Sequence, residues 1–339
     1  MSLSAEISRF QDKEVIKLSA DKYTAIIAPF LGSNIVEMYD TELDIDFFRH
    51  DSNRTIEEMK AAAEIYGFPT LLFANRLHDG VLQASDYTYH FPVNEPVGGN
   101  HLHGFLHKRE HSIVTAEVVG ESAVAKTEYV YDAKDEFFEY FPVPFKAEFT
   151  FTLDAKGMHY EVSITNQSDR QMPVMICNHC AFNGPFKKGA KALDTRLWLP
   201  IGDKWELDPK TNCPTLATLP HTNHDRQYIA GDLVPVEQDI DNDVFEMTDG
   251  EYAGKPFRGA ILTDTESFDQ IIYEVDEQFK FWVVWNDHGD KNYFCPEPMT
   301  WMINAPNLAI PASESGYKEL APEETFTIKE RIYSKRHDD

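Results

Sequence analysis

Hydrophobic and polar residues alternate with a period of two along much of the chain. Between Phe145 and Leu153 the odd positions are apolar, and lysine, glutamate and threonine fill the even ones. The alternation recurs in Tyr160–Ile164, Phe279–Trp285 and Phe326–Ile332, although Glu330 interrupts the last run. Because successive side chains of a strand point to opposite faces of a sheet, this pattern predicts antiparallel strands with one buried face.

Turn-forming clusters such as Asp154–Gly157 and Asn166–Asp169 separate these runs. This spacing is typical of meanders and sandwiches rather than of βαβ units. No linker or repeat of fixed period divides the chain. The sequence therefore predicts a single all-β domain, residues 1–339, built as a large antiparallel β-sandwich with few short helices.

Only one segment has the features of a helix. Thr55 and Glu58 form a capping-box pattern, helix-forming residues follow up to Glu64, and Gly67 ends the segment. Residues 203–243 are the least regular part of the chain and are expected to form long loops, which often line functional sites.

Composition and charge narrow the class of partner. The chain has 31 basic and 57 acidic residues, a net charge of −26. Such a surface repels phosphate backbones and anionic lipids, so we expect neither a nucleic acid nor a membrane as partner. No stretch approaches the roughly 20 apolar residues of a spanning helix, and the N-terminus has no apolar signal segment, so a cytoplasmic protein is expected.

The four cysteines do not suggest a disulfide framework in a chain of this length. Cys177 and Cys180 form a CxxC pair, but no second pair accompanies it and no helix start follows it. We therefore expect buried free thiols rather than a redox or zinc site.

Four motifs carry side chains suited to chemistry. His179 follows a strand-like run and is flanked by amides, so it is either a proton donor or acceptor or a hydrogen-bonded structural histidine. Glu297 lies between Pro296 and Pro298, which would hold it in a fixed direction unless the segment is a plain turn.

A histidine cluster starts at His101 and includes His103, His107 and His111. It lacks a convincing set of metal ligands, so hydrogen bonding of a polar ligand by His103 is favoured over a metal site. Asn75 and Arg76 end an apolar run, where the guanidinium can bind hydroxyls or form an ordinary surface ion pair.

Taken together, these motifs resemble those of the aldose 1-epimerase (galactose mutarotase) family. The resemblance covers about residues 15–333. The matching elements, in order, are Asn75–Leu77, His101–Phe105, Tyr140–Phe145, Asn178–Asn183, Glu297–Thr300 and Leu320–Glu324. It implies a galactose mutarotase-like supersandwich, in agreement with the strand pattern.

The resemblance also implies roles for individual residues. His179 matches the proton donor, Glu297 matches the base, and Asn75, Arg76 and His103 match sugar-binding positions. For the family's sugar-binding aspartate, Asp243 is the first choice and Asp241 the second. The implied reaction interconverts the α and β anomers of an aldohexose by acid/base ring opening, with no cofactor and no metal. Gly104-Phe105 and Ala181 depart from the common motifs and indicate a divergent subgroup, so the preferred sugar and the oligomeric state stay open.

Two alternatives share the scaffold. A hexose-6-phosphate 1-epimerase would need cations at the site, and the candidates are Arg54, Lys108, Arg109, Lys187 and Lys188. A non-catalytic carbohydrate-binding protein would bind sugar without exchanging its anomers, because a fold does not fix a function. A glycoside hydrolase would need a second carboxylate that the motifs do not supply.

Overall fold

The computed structural model describes residues 2–336, and strands dominate it. In chain order they are β1 (Ser4–Phe10), β2 (Lys13–Ala20), β3 (Tyr23–Ala28), β4 (Asn34–Asp40), β5 (Ile45–Asp46), β6 (Thr70–Leu72), β7 (Arg76–His78), β8 (Val81–Gln83), β9 (Thr88–His90), β10 (Asn100–Leu102), β11 (Ser112–Val119), β12 (Ser122–Tyr131), β13 (Phe145–Asp154), β14 (Gly157–Asn166), β15 (Met172–Pro173), β16 (Ile176–Asn178), β17 (Phe182–Asn183), β18 (Thr195–Trp198), β19 (Ile201–Leu207), β20 (Pro214–Leu219), β21 (Asp243–Met247), β22 (Gly250–Tyr252), β23 (Lys255–Phe257), β24 (Gly259–Asp264), β25 (Gln270–Val275), β26 (Phe281–Trp285), β27 (Tyr293–Met299), β28 (Glu319–Leu320) and β29 (Thr325–Lys335).

Two large antiparallel sheets face each other. The back sheet has the order β11-β12-β13-β14-β29-β25-β24-β18, and the front sheet has the order β20-β19-β21-β26-β27-β16-β6, with β17 also paired to β27. Strands β1 to β5 form a separate five-stranded sheet. The predicted all-β antiparallel sandwich is therefore confirmed.

The alternating pattern places the core between the two sheets. In β13 all five apolar side chains from Phe145 to Leu153 are fully buried, whereas Glu148 is exposed. Aromatic rings connect the two layers. Tyr273 of the back sheet packs edge to face against Phe68 and at a tilted angle against Phe182, both in the front layer. Strands β26 and β27 depart from the half-buried pattern, because the front sheet is covered on both faces there.

Three α-helices are present among the described residues: α1 (Ile56–Ala61), α2 (Asn223–Ala230) and α3 (Ala312–Ser315). Helix α1 begins with the predicted capping box between Thr55 and Glu58 and continues into a 3₁₀ turn, Ala63–Ile65.

The expectation of long loops over residues 203–243 is wrong in part. The segment contains most of β19, all of β20 and helix α2. Helix α2 starts at a capping box formed by Thr222 and Asp225 and ends at Gly231 in the left-handed region. Thr222 and Gly231 are of residue types that are common in turns, but here they cap a helix.

A buried polar cluster crosses the interface between the sheets. Asn178 of β16 donates to the carboxylate of Glu330 in β29, and Tyr273 donates to the same carboxylate. Thr70 donates to the Asn178 carbonyl oxygen at 2.6 Å and also contacts Tyr160. The charged residue that interrupted the sequence pattern therefore points inward and is hydrogen-bonded there.

Two further findings concern membranes and cysteines. No helix among residues 2–336 is long and apolar enough to cross a membrane. All four cysteines are free and buried, as expected.

Replacing Glu330 should change how stability depends on pH. Burial raises the pKa of Glu330 to about 8 from an ordinary value of 4.5, so the folded state keeps a proton that the unfolded chain loses as the pH rises. The protonated side chain of Glu330 makes its full contribution to the free energy of unfolding below pH 4.5. That contribution is lost as the pH rises toward 8. Glu330→Gln, which mimics the protonated acid, should become more stable relative to wild type by roughly 1.4 kcal/mol per pH unit across that window.

Denaturant unfolding at several pH values measures this difference. Glu148→Gln, on the exposed face of the same sheet, is the control for removing a charge. If the difference in unfolding free energy between Glu330→Gln and wild type stayed constant with pH, the raised pKa of Glu330 would be contradicted.

Candidate functional site

Neighbouring strands of the front sheet bring His179 and Glu297 together. Strand β16 pairs with β27 at Cys177 and Met299, and Asn178 at its end points into the sandwich toward Glu330. Because side chains alternate along the chain, the next residue, His179, points out of the opposite face. There its Nε2 lies 3.1 Å from Oε1 of Glu297, and both side chains are buried.

Glu297 lies in the middle of a strand, not in a turn. Its position in β27 is opposite Val283 of β26, and the two flanking prolines are opposite Val284 and Trp282. The Pro296 carbonyl oxygen accepts a hydrogen bond from the Cys180 thiol at 2.7 Å. This bond also joins the segment that carries His179 to the segment that carries Glu297. The predicted fixed direction of the carboxylate therefore comes from the sheet as well as from the prolines.

Asn75 and His103 form a second pair at the rim. Both have left-handed backbones, with φ of 57° and 67°. The His103 amide donates to the Asn75 carbonyl at 3.0 Å, and the Asn75 amide donates to His103 Nδ1 at 3.3 Å. Since Nδ1 accepts this hydrogen bond, a neutral His103 carries its proton on Nε2, which can donate to a ligand. Burial holds the pKa of His103 well below its ordinary value and keeps it neutral.

Arg76 is oriented by a forked ion pair. Its Nε and Nη2 atoms contact the Glu95 carboxylate at 2.9 and 2.8 Å, and Nη1 lies 3.3 Å from Asn75 Oδ1 and 3.4 Å from Asn242 Oδ1. Pairing between β7 and β10 places Arg76 opposite Leu102, next to His103. The bidentate geometry fixes the guanidinium at the cavity wall.

These side chains line one cavity of about 340 Å³, within the range of small-molecule sites. Five of its residues were not assigned to the site from the sequence, and a sixth, Asp241, was considered only beside Asp243. The complete lining is Glu64, Ile65, Asn75, Arg76, Leu102, His103, His179, Asp241, Asn242, Trp285 and Glu297. Trp285 packs edge to face against His179 with ring centroids 5.8 Å apart.

Burial shifts the two central groups in opposite directions. It lowers the pKa of His179 to about 4 and raises the pKa of Glu297 well above its ordinary value. Between those two limits the pair holds one proton in total. That proton can sit on either residue, because a transfer across the 3.1 Å contact interconverts a neutral pair and an imidazolium–carboxylate pair.

Two neighbouring charged residues favour the imidazolium–carboxylate form of the pair, which burial disfavours. The charge of Glu64 raises the pKa of His179, and the charge of Arg76 lowers the pKa of Glu297. The cavity can thus supply a proton donor and a proton acceptor side by side, which is the requirement for concerted acid/base chemistry.

The structure does not bring Asp243 into the cavity, and this prediction is corrected. Its carboxylate accepts hydrogen bonds from Lys204 at 2.8 Å, His224 at 2.9 Å and Tyr228 at 3.1 Å. Asp243 begins strand β21, and the register of that strand turns it toward α2. The preceding loop residues Asp241 and Asn242 line the cavity instead.

The remaining histidines of the sequence cluster separate in space. His101 Nδ1 donates to the Pro92 carbonyl at 2.7 Å, and His111 contacts the Ser33 hydroxyl at 2.8 Å. His107 contacts Glu64 at 3.1 Å. Each therefore has its own partner, and only His103 reaches the cavity.

Two groups of described residues offer three potential metal-ligand atoms within 4.8 Å of one another. One is His179, Cys295 and Glu297, which coincides with the acid/base pair. The other is His224, Asp225 and Asp243, where the ammonium of Lys204 already bridges the two carboxylates at 2.7 and 2.8 Å.

The comparisons with known proteins agree with this architecture. The family model for aldose 1-epimerase matches residues 14–333, so the chain belongs to the aldose 1-epimerase family. A galactose mutarotase-like protein from Clostridium acetobutylicum is 30% identical, with a TM-score of 0.96 over 98% of this chain and 99% of that one. The predicted galactose mutarotase-like supersandwich is confirmed.

Two further proteins are similar to this chain, one in fold and one in part of its sequence. Galactose 1-epimerase from Lactobacillus acidophilus NCFM has a TM-score of 0.71 over 99% of both chains at 15% identity, which shows a common fold. Protein LacX (chromosomal) from Lactococcus lactis subsp. lactis is 29% identical over 116 residues, and the match spans 33% of this chain and only 37% of LacX. The family supports an epimerase-type enzyme that acts on carbohydrates.

Asparagine substitutions at Asp241 and Asp243 should separate the two aspartates. Asp241→Asn removes a carboxylate at the cavity and should raise KM for glucose or galactose several-fold. Asp243→Asn weakens the contacts with Lys204 and His224 and should lower the unfolding free energy by about 1–3 kcal/mol with little effect on KM. Steady-state kinetics and denaturant unfolding of both variants test this, and a larger KM effect in Asp243→Asn would reverse the correction.

Proposed function

We propose that this protein is an aldose 1-epimerase that interconverts the α and β anomers of an aldohexose by acid/base ring opening. The observation that carries the proposal is the 3.1 Å contact between His179 and Glu297 at the cavity wall. In a pyranose the C1 hydroxyl and the ring oxygen are bonded to the same carbon. An adjacent base and acid can therefore serve both oxygens at once.

In the proposed reaction Glu297 takes the proton of the C1 hydroxyl while His179 donates a proton to the ring oxygen. The C1–O5 bond breaks, and the C1 hydroxyl becomes the carbonyl of the open-chain aldehyde. Rotation about the C1–C2 bond presents the other face of the carbonyl, and closure reverses both proton transfers. The pair starts and ends with the same single proton, so no external acid, base or cofactor is required.

The other lining residues position the sugar. His103 can donate from Nε2, Arg76 from Nη1, and Asn75 and Asn242 offer amides to hydroxyl groups. Asp241 is an acceptor at the open side of the cavity. Holding the reacting oxygens against the acid/base pair in this way accounts for a large part of the rate enhancement in such reactions.

The electrostatics of the cavity favour this proposal over a hexose-6-phosphate 1-epimerase. None of the five candidate cations lines the cavity: Lys108, Arg109 and Lys187 pair with Glu64, Asp135 and Asp269, Arg54 stacks on Tyr66, and Lys188 is exposed. Arg76 is the single cationic side chain in the lining, and Glu95 neutralises it. A phosphate would find no free cation among the described lining residues.

Removing either member of the pair should abolish most of the activity. His179→Asn and Glu297→Gln keep similar shapes but each loses the group that exchanges protons, and a positioned acid or base is typically worth ~10²–10⁴ in rate. Polarimetry of freshly dissolved α-glucose and α-galactose measures the anomer relaxation. His90→Asn and Glu121→Gln, both exposed and away from the cavity, are the matched controls.

The outcome also separates an enzyme from a non-catalytic sugar-binding protein. A wild-type protein that binds sugar by calorimetry but does not accelerate relaxation would support the binding protein. Near-wild-type relaxation rates in either His179→Asn or Glu297→Gln would contradict the proposed mechanism.

The pH profile of kcat/KM should be bell-shaped. The acid limb is expected near pH 4, because burial lowers the pKa of His179 to about 4 and a second proton disables the pair below it. The alkaline limb is expected well above the ordinary carboxyl range, because burial raises the pKa of Glu297 and loss of the single proton disables the pair there. A profile that is flat from pH 3 to pH 10 would argue against the pair.

A further inference from the structure

Glu64 is a cavity residue that no sequence motif indicated. It lies in the 3₁₀ turn Ala63–Ile65, which follows α1, and this turn places Glu64 and Ile65 in the cavity lining. Its side chain is largely buried, with 17% of its surface exposed. The position of the turn depends on how α1 packs, which is why the local sequence does not reveal it.

Two basic side chains that are not part of the cavity lining hold this carboxylate in place. His107 Nε2 lies 3.1 Å and Lys108 Nζ lies 2.5 Å from Oε1. Burial by itself raises the pKa of Glu64, but the hydrogen bond from His107 and the charges of His107 and Lys108 hold it well below its ordinary value. Glu64 is therefore ionised at neutral pH, and both contacts use Oε1, so Oε2 keeps its capacity to accept from a ligand.

The charged side chains of the lining are unbalanced. Glu64 and Asp241 are acidic, Glu297 shares a proton with His179, and Arg76 is the single arginine or lysine among the described lining residues. Arg76 is itself held by Glu95 in a bidentate ion pair. Glu64 is likewise paired with Lys108, but through Oε1 alone. The lining therefore offers carboxylate oxygens to a ligand but no free cation, and this favours positively charged over negatively charged ligands.

We propose that Glu64 is a specificity-determining residue that makes the cavity prefer amino aldoses, whose ammonium group it can bind, and exclude anionic sugars such as uronic acids and sugar phosphates. This inference rests on the proposed function for its kinetic readout. The binding site itself comes from the cavity geometry: a fixed, buried carboxylate beside the acid/base pair, with no free cation opposite it.

The discriminating measurement is a ratio of kcat/KM values at about pH 6.5, where a primary amine with a pKa of roughly 7.7 is mostly protonated. Glucosamine, glucose and galacturonate are compared, each corrected for its uncatalysed relaxation. We expect glucosamine to exceed glucose, and glucose to exceed galacturonate, by about tenfold each. Above the pKa of the amine the advantage of glucosamine should disappear.

Three variants assign the effect to Glu64. Glu64→Gln should bring both ratios several-fold closer to one, because only the Asp241 carboxylate then remains, whereas Glu64→Asp, which keeps the charge, should retain the order of preference. Glu57→Gln removes an exposed charge from the neighbouring helix α1 and should leave both ratios unchanged. Ratios are used because loss of the Glu64 charge also lowers the pKa of His179, depletes its protonated form and lowers all rates together.

Failure of this inference can be told apart from failure of the proposed function. Equal ratios in wild type and Glu64→Gln, with normal exchange of glucose, would overturn the inference alone. Absence of anomer exchange with every sugar would overturn the proposed function, and calorimetric titration with glucosamine would then test the inference. Tighter binding of glucosamine than of glucose that is lost in Glu64→Gln would still support it, and equal binding would overturn it.

Discussion

The polar contact between Asn178 and Glu330 fixes the orientation of the site. Asn178 is the last residue of β16, and its amide group is buried between the sheets, where Thr70 and Glu330 satisfy it. A one-residue shift of β16 would turn Asn178 away from Thr70 and Glu330, leave those buried groups without this partner and turn His179 inward. Because a buried polar group without partners costs about 1–3 kcal/mol, the contact selects the register in which His179 faces Glu297.

Much of the fold and part of the site could be predicted from the sequence. Alternation located the strands because the sandwich buries one face of most of them, as in β13. The pair of His179 and Glu297 was found through motifs, since each motif combines the reactive residue with neighbours that shape the backbone. The resemblance correctly grouped these residues with Asn75, Arg76 and His103, and the structure brings all five to one cavity.

Other residues could not be predicted, for different physical reasons. Asp243 was preferred over Asp241 because alternation does not mark the residue at which a loop becomes a strand, and that boundary decides which carboxylate faces the cavity. Glu64 was missed because its local sequence only indicates helix. Glu330 was recognised as an exception, but its partner Asn178 lies 152 residues away in sequence.

The charge distribution of the cavity follows from the cost of burying ions. A permanently charged His179–Glu297 pair would lose several kcal/mol of hydration per ion, and a single contact does not reliably offset that loss. A pair that shares one proton avoids this cost by resting in its neutral form. Arg76 and Glu64 lower the free energy of the imidazolium–carboxylate form relative to the neutral form. Neither residue joins the pair, since Glu95 holds Arg76 and Lys108 holds Glu64. The surrounding ion pairs therefore keep the central pair ready to transfer protons while the folded state stays stable.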